Sequence, residues 1–566
     1  MTTEFNLGPM LNAYPDSIGG NLSSLVKLLK QSDLQDTFSS FYILPSVFNS
    51  DLDRGFSILD YRLNDLTATA EDLEALKSLG LDLKLDFVLN HLSVLSEQFQ
   101  DIINKGEDSK YKDFFINWNK FWEGYGTLTP QGYIQPDDQY LEKMFFRKPG
   151  LPILMVRFPD GKDYPYWNTF YNEIRYPKLE ANDLIKWTSL KYWAADVLSQ
   201  RVNDTLTSGG KIEDIDFTGF ESVKDTIIDY LQANRTYMGQ MDLNLNSPLV
   251  WEFYEDTLSK LASYGAKIIR LDAFAYAPKA PGSKNFMNEP DTWDLLEKIK
   301  QMAAKHGLTV LPEIHTSYSE KTHEVISDKE FMTYDFFLPG LIIDALESGE
   351  ATHLAKWAND IIEKNMRVVN MLGCHDGIPL LDLKGILSDS RIEELINVIV
   401  GRGGYVKNLH GKKNMYYQVN ATYYSALGEN DAKMLLARAL QLFMPGKPQI
   451  WYLDLFLGKN DHEAVLQAGE GGHKEINRTN LSLEQIEAQL KNEAVQEQLK
   501  LLHFRQTNPA FSSEATVSVS HQDSTIKITW EYNHYTATLE ADLTSLAYRI
   551  TSSQPDGRIT NEMKSL

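Results

Sequence analysis

Four short apolar runs, spread from residue 83 to residue 376, each end in ionisable side chains. That recurrence constrains the fold of this chain more than any other feature. The clearest run is Lys267-Ile268-Ile269-Arg270-Leu271-Asp272-Ala273-Phe274-Ala275-Tyr276. In a strand, residues i and i+2 point to one face, so Arg270 and Asp272 are expected to project together from a strand end. A buried carboxylate beside a guanidinium is held ionised and can act as a nucleophile. Taken alone, an ordinary ion pair at a strand end gives the same pattern. Three more runs repeat the arrangement: Leu83 to Val88 leads into Leu89-Asn90-His91, Thr309 to Pro312 into Glu313-Ile314-His315, and Val368 to Leu372 into Gly373-Cys374-His375-Asp376. Catalytic groups released at the tips of several strands are the layout of a (β/α)8 barrel.

The rest of the chain fits an α/β fold: a (β/α)8 TIM barrel with an inserted second domain, a small third domain and a C-terminal antiparallel β domain. Strand and helix signals alternate without a tandem repeat. Pro9 to Tyr14 and Phe41 to Pro45 read as the first two barrel strands, with a helix from Asn21 to Gln31 between them. Phe331 to Phe337, Arg367 to Leu372 and Lys447 to Tyr452 read as the sixth, seventh and eighth. Helices are expected at Leu249 to Tyr264 and at Asp291 to His306. The barrel is assigned to residues 1–91, 243–378 and 437–510, the inserted domain to 92–242, the small third domain to 379–436 and the β domain to 511–566. From Ser512 on, alternation such as Val517-Ser518-Val519 marks antiparallel strands.

Composition excludes several function classes. With 566 residues, 43% of them hydrophobic, the chain is long enough for a large core and more than one domain. A formal net charge of -23 argues against nucleic acid or an anionic membrane as partner. No apolar run is long enough for a membrane span, and Met1 to Asn6 shows no secretory signal. The single cysteine, Cys374, allows no disulfide within one chain and fits a cytoplasmic location. No Cys pair or His-x-x-x-His suggests a metal, and Gly401-Arg402-Gly403-Gly404 lacks the setting of a nucleotide loop. Neither a metal nor an organic cofactor is expected.

Asp86…Asn90-His91, Arg270-x-Asp272, Glu313 and His375-Asp376 resemble the four signature regions of the α-amylase superfamily of glycoside hydrolases. Arg-Leu-Asp-Ala-Phe-Ala-Tyr, Leu-Pro-Glu-Ile-His, His-Asp-Gly-Ile, Tyr-Tyr-Ser-Ala-Leu-Gly and Gly-Lys-Asn-Asp are similar to its sucrose phosphorylase branch. The resemblance covers the chain except for one insertion, residues 171–238. Two helices, about Asp183 to Gln200 and Ser222 to Ala233, are expected in that insertion around the turn Ser208-Gly209-Gly210. It reads equally as a lid, a subunit contact or decoration. The resemblance implies that Asp53, in Asp53-Arg54-Gly55-Phe56, contacts the glucosyl hydroxyls and pairs with Arg478. It also implies that Phe170 packs on the sugar ring, and it sets Lys148 where the family often has arginine.

Two carboxyls on opposite sides of a sugar, about 5–5.5 Å apart, break an α-glucoside with retention through a covalent glucosyl-enzyme. Asp272 is the expected nucleophile, kept charged by Arg270. Glu313 is the expected acid/base, kept protonated by the negative charge of Asp376. Asp376 also binds ring hydroxyls by resemblance. His91 and His375 are expected to bond these hydroxyls as neutral imidazoles, and His315, Tyr417 and Gln418 complete the expected substrate contacts. The partners expected are a small α-glucoside and inorganic phosphate, with the chain a monomer or a homodimer. The four motifs alone do not separate a phosphorylase from a hydrolase or transglucosylase. The resemblance favours a retaining glucosyl phosphorylase making α-D-glucose 1-phosphate, and the presence of both Asp272 and Glu313 weighs against a non-catalytic sugar-binding relative.

One departure concerns the leaving group. The branch commonly reads Leu-Asp-Leu-Tyr-Gln where this chain has Asn414-Met415-Tyr416-Tyr417-Gln418, so Met415 replaces a carboxylate that reaches fructose. An unpaired buried hydroxyl costs about 1–3 kcal/mol. Upstream lie Arg402, Lys407, His410, Lys412 and Lys413, an expected acceptor or phosphate cluster together with Lys148. Such a loop favours an anionic leaving group, a sugar phosphate or glycerate, over fructose; as a solvated surface loop it carries no such preference.

Overall fold

The computed structural model describes residues 6–408, 416–469, 472–556 and 558–565. Its centre is one sheet of eight parallel strands: β1 (Met10–Ala13), β2 (Ser40–Ile43), β3 (Asp82–Val88), β4 (Ala266–Asp272), β5 (Thr309–Pro312), β6 (Thr333–Asp335), β7 (Val368–Met371) and β8 (Lys447–Trp451). They are ordered β5-β4-β3-β2-β1-β8-β7-β6. Consecutive strands are neighbours except β5 and β6, the two ends of that order, and β1 pairs with β8. This is the expected barrel. Among the described pairings no ladder joins β5 to β6.

Strands buried on both faces read as continuous apolar runs, which is why they were legible. β1, β2, β7 and β8 are buried at every position. The helices between them are set by local signals. Leu22–Leu29 begins at Asn21, whose Oδ1 accepts from the Ser24 amide at 2.9 Å. Ala70–Ser78 begins with a capping box of Thr69 and Asp72. Pro248–Ser263 and Asp291–Lys305 fall where helices were expected.

The excursion after β3 carries two hydrophobic cores of its own. Trp118, Trp122 and Trp167 anchor one, with Ile116 and Met144. Leu184, Leu198, Val202, Ile227 and Leu231 fill the other, which belongs to the insertion. There the helices are Ala181–Trp187, Tyr192–Thr207 and Lys224–Ala233. The single helix expected at Asp183 to Gln200 is therefore two, because Thr188 is extended (φ -130°, ψ 173°) and stops the first. The insertion rises from a hairpin in which Asn172–Arg175 pairs antiparallel with Thr236–Gly239.

The C-terminal sheet has five antiparallel strands, from Thr516–Gln522 to Ile559–Lys564. It shares the main core rather than forming a separate one. Trp530 Nε1 donates to the Phe443 carbonyl at 2.7 Å. The Arg505 guanidinium lies 4.2 Å from the ring centre of Phe511 and 4.6 Å from that of Trp530. Among the described residues no helix is long and apolar enough to cross a membrane.

Candidate active site

The ladder register assembles the site. Arg270 on β4 lies opposite Asp86 on β3, and Leu271 lies opposite Pro312 on β5. The next residues along, Asp272 and Glu313, therefore emerge side by side. Arg270 bonds Asp86, approaches Asp272 with the same Nη1 at 3.1 Å, and gives Nη2 to Glu313 at 2.7 Å. Ala273 then takes a left-handed conformation (φ 51°) that ends the strand. Asp376, from the loop after β7, faces the same cavity of about 530 Å³.

Phe56 lines that cavity between the barrel strands and the loop after β7. Its ring stacks on His375 with centroids 5.1 Å apart, and the Arg270 guanidinium lies 5.2 Å from its centre. It follows Asp53, Arg54 and Gly55, all at positive φ. A Cβ on Gly55 would come within 2.2 Å of the Ser46 amide nitrogen, so only glycine fits there. Asp53 Oδ1 lies 3.6 Å from Arg478 Nη1, the pairing the resemblance implies. His375 Nε2 sits 3.2 Å from Asp376 Oδ2 but off a hydrogen-bonding line. Both ring nitrogens of His375 are thus buried without a hydrogen-bond partner among the described residues, a pair of polar atoms suited to sugar hydroxyls. His91 lines the cavity too, with Nε2 at 2.9 Å from the Phe56 carbonyl. Phe170 closes the far side, 5.1 Å from the ring centre of His91 and 5.2 Å from that of Tyr276.

The electrostatics correct one expectation. Burial raises Asp272 well above the usual carboxylate range, opposed by Arg270 and helped by the charges of Glu313, Asp86 and Asp376. Burial also pushes Glu313 up, but Arg270 and His315 overcome it and hold that carboxyl down. The two buried carboxyls are thus shifted against the expected directions, Asp272 upward and Glu313 downward. The reason is geometric: Arg270 gives Glu313 its own nitrogen and splits the other between two aspartates. Asp376 does raise Glu313, as expected of a negative neighbour, but Arg270 and His315 outweigh it; Lys474 Nζ lies 2.5 Å from Asp376 Oδ1. Burial keeps His375 neutral, down at about 3. Burial would also raise Asp376, but with that imidazole neutral the cations Lys474, Arg270 and Arg478 hold it well below its usual value.

Several expected contacts lie elsewhere. His315 is behind Glu313 and is not a lining residue: Nε2 is 3.6 Å from Glu313 Oε1 and Nδ1 is 3.0 Å from Asp382 Oδ2. Burial would lower it, yet those two carboxylates raise it to about 9. Arg402 is spent on Glu347, at 3.0 and 3.1 Å, and on the Ala426 carbonyl at 2.6 Å, away from the cavity. Lys148 bonds Asn168 Oδ1, and burial lowers it to about 8. Gln418 is buried and does not line the cavity. His410, Lys412, Lys413 and Met415 lie outside the described residues, as do the side chains of Lys407 and Tyr417.

The site also holds residues the sequence reading passed over. Lys474, Arg147, Gln240 and Tyr276 line the cavity. Lys474 stands four positions before Arg478, and Arg147 stands beside Lys148, so both were within sight.

No family model matches the chain. A curated relative, the sucrose 6(F)-phosphate phosphorylase of Ilumatobacter coccineus, is 50% identical over 551 residues, covering 96% of this chain and 95% of that one. The chain belongs to the sucrose phosphorylase family. The sucrose phosphorylase of Streptococcus mutans is 31% identical and covers 96% of this chain and 97% of its own. A crystal structure of sucrose 6F-phosphate phosphorylase from Thermoanaerobacter thermosaccharolyticum superposes with a TM-score of 0.80 at 30% identity, over 100% of this chain and 98% of that one. Membership in the sucrose phosphorylase family makes this protein a glycosyltransferase acting by phosphorolysis.

Proposed function

We propose that the protein cleaves a sucrose-like α-glucoside carrying an anionic leaving group, with inorganic phosphate as acceptor, to give α-D-glucose 1-phosphate. The observation that carries the reading is the single guanidinium of Arg270 touching both Asp272 and Glu313 at the mouth of the barrel. Asp272 attacks the anomeric carbon and Glu313 protonates the departing oxygen. This needs the proton on Glu313 and the charge on Asp272, a state that a proton reaches by moving between two carboxyls sharing that guanidinium. A glycosidic oxygen against Glu313 and an incipient oxocarbenium carbon against Asp272 both favour the move. Phosphate then attacks the anomeric carbon of the glucosyl-Asp272 ester, Asp272 leaves as a carboxylate and Glu313 takes the phosphate's proton; two inversions retain the anomeric configuration.

The anionic leaving group has two supports. Arg147 lines the cavity 5.6 Å from the ring centre of Phe170 and 5.9 Å from that of Tyr276, where a guanidinium suits phosphate oxygens. The half-identical relative is named for a phosphorylated sucrose. Sugar phosphates are made and kept inside cells, which favours a cytoplasmic location. The test is to compare phosphorolysis of sucrose, sucrose 6′-phosphate and glucosylglycerate by the parent, Arg147→Ala and Lys412→Ala/Lys413→Ala. An anionic donor should lead in the parent, and its lead should shrink in a variant. Neutral sucrose as best donor, with the ranking unmoved by either change, sinks the assignment.

A further inference from the structure

We infer that Asn420 is a positioning residue that sets the direction of the Asp376 carboxylate from the strand next to the expected acceptor segment. The inference rests on reading Asp376, whose contacts to ring hydroxyls the resemblance implies, as tightening those contacts in the transition state. Two planar peptide units flank the Asp376 Cα, and their orientations fix its φ and ψ. Each is held by a side chain from another part of the chain. Arg478 Nε donates to the His375 carbonyl at 2.9 Å, fixing the preceding plane. Asn420 Nδ2 donates to the Asp376 carbonyl at 2.8 Å, fixing the following one. With both planes held, the Cα–Cβ bond of Asp376 has one direction, and its carboxylate reaches Lys474 from there.

Asn420 ends the strand Tyr416–Asn420, which pairs antiparallel with Tyr405–Asn408. The same strand is joined to the residues after Asp376: the Ile378 amide donates to the Val419 carbonyl at 2.8 Å and the Val419 amide to the Ile378 carbonyl at 3.0 Å. Gly377 allows this approach. Its φ is 110°, and a Cβ there would come within 2.7 Å of Asn420 Nδ2 and 2.8 Å of the Val419 carbonyl oxygen. Asn420 is 2% exposed, and its Oδ1 is buried without a partner among the described residues. A residue kept only to fill space would not leave a buried carbonyl unpaired, which costs free energy. What this side chain supplies is its donor.

The test compares Asn420→Asp, Asn420→Ala and Asp376→Asn, with rates counted per folded enzyme. Asn420→Asp keeps the shape and as a carboxylate only accepts, so at a pH where it is ionised it removes the bond without opening a cavity. For both Asn420 variants kcat on the glycoside is expected to fall about 10- to 100-fold, as for a misplaced catalytic group. The donor KM should stay within about 3-fold, since binding contacts remain. The loss should persist on α-glucosyl fluoride, because Asp376 acts on the sugar and not on the leaving group. Wild-type kcat in Asn420→Asp, or a loss recovered on the fluoride, overturns the inference while leaving Asp376 in its role. Wild-type kcat in Asp376→Asn removes that role, and the inference goes with it.

Discussion

At the residue scale, the carboxyl pair around Arg270 carries the chemistry, and each member has its own signature. Asp272→Asn keeps the shape and loses the nucleophile, so turnover is expected to drop by several orders of magnitude with an unchanged melting temperature. A variant forming glucose 1-phosphate at the parental rate removes Asp272 from its role. Glu313→Gln should lose glycoside cleavage yet keep part of the activity on α-glucosyl fluoride, which departs without a proton. Equal losses on both donors count against the acid. His315 makes a pH prediction. Its imidazolium, raised to about 9 by Asp382 and Glu313, helps hold Glu313 down. His315→Gln removes that charge, so the alkaline limb of glycoside cleavage should move to higher pH while fluoride cleavage shows no such shift. A limb that stays or moves down contradicts the placement of His315 behind Glu313. The sign for stability follows too. A pKa raised from 6.5 to about 9 contributes stability that is complete below 6.5 and lost as pH rises through about 9.

At the element scale, strand ends were legible and loop convergence was not. Arg270 and Asp272 share a face because strands repeat every two residues, and an apolar run followed by Glu313 or His375-Asp376 marks a strand tip from composition alone. Lys474, Arg147 and Asn420 reach the site through loops and a hairpin whose approach depends on packing, so their neighbours carried the motif and they did not. The directions of the carboxyl shifts were hidden for the same reason: sequence proximity suggested Arg270 with Asp272, and Arg270 does reach Asp272 but also bonds Glu313 across the sheet. In the insertion, a helix stop at Thr188 was invisible because Trp187-Thr188-Ser189 contains neither proline nor glycine. The register Arg175 opposite Thr236 makes the insertion separable. Replacing residues 177–234 by Asn-Gly, a two-residue hairpin turn, should leave a folded enzyme with donor KM and kcat within about 3-fold of the parent. Loss of activity in a folded variant would assign the insertion to the site.

At the scale of the whole molecule, a barrel supplies the strand tips and the surrounding parts hold their loops. The C-terminal sheet is far from the chemistry but continuous with the core, through Trp530, which is 2% exposed. Trp530→Ala should destabilise the protein by about 3–5 kcal/mol, read from denaturant midpoints, with kcat per folded enzyme unchanged. A change in kcat without one in stability would mean the sheet acts on the site. The central claim is phosphorolysis with retention, and product analysis tests it most directly. Incubated with sucrose 6′-phosphate and inorganic phosphate, the enzyme should release fructose 6-phosphate and α-D-glucose 1-phosphate in equal amounts, followed by proton and phosphorus NMR from the first turnovers. Free glucose as the main product at saturating phosphate, or glucose 1-phosphate appearing first as the β anomer, contradicts it.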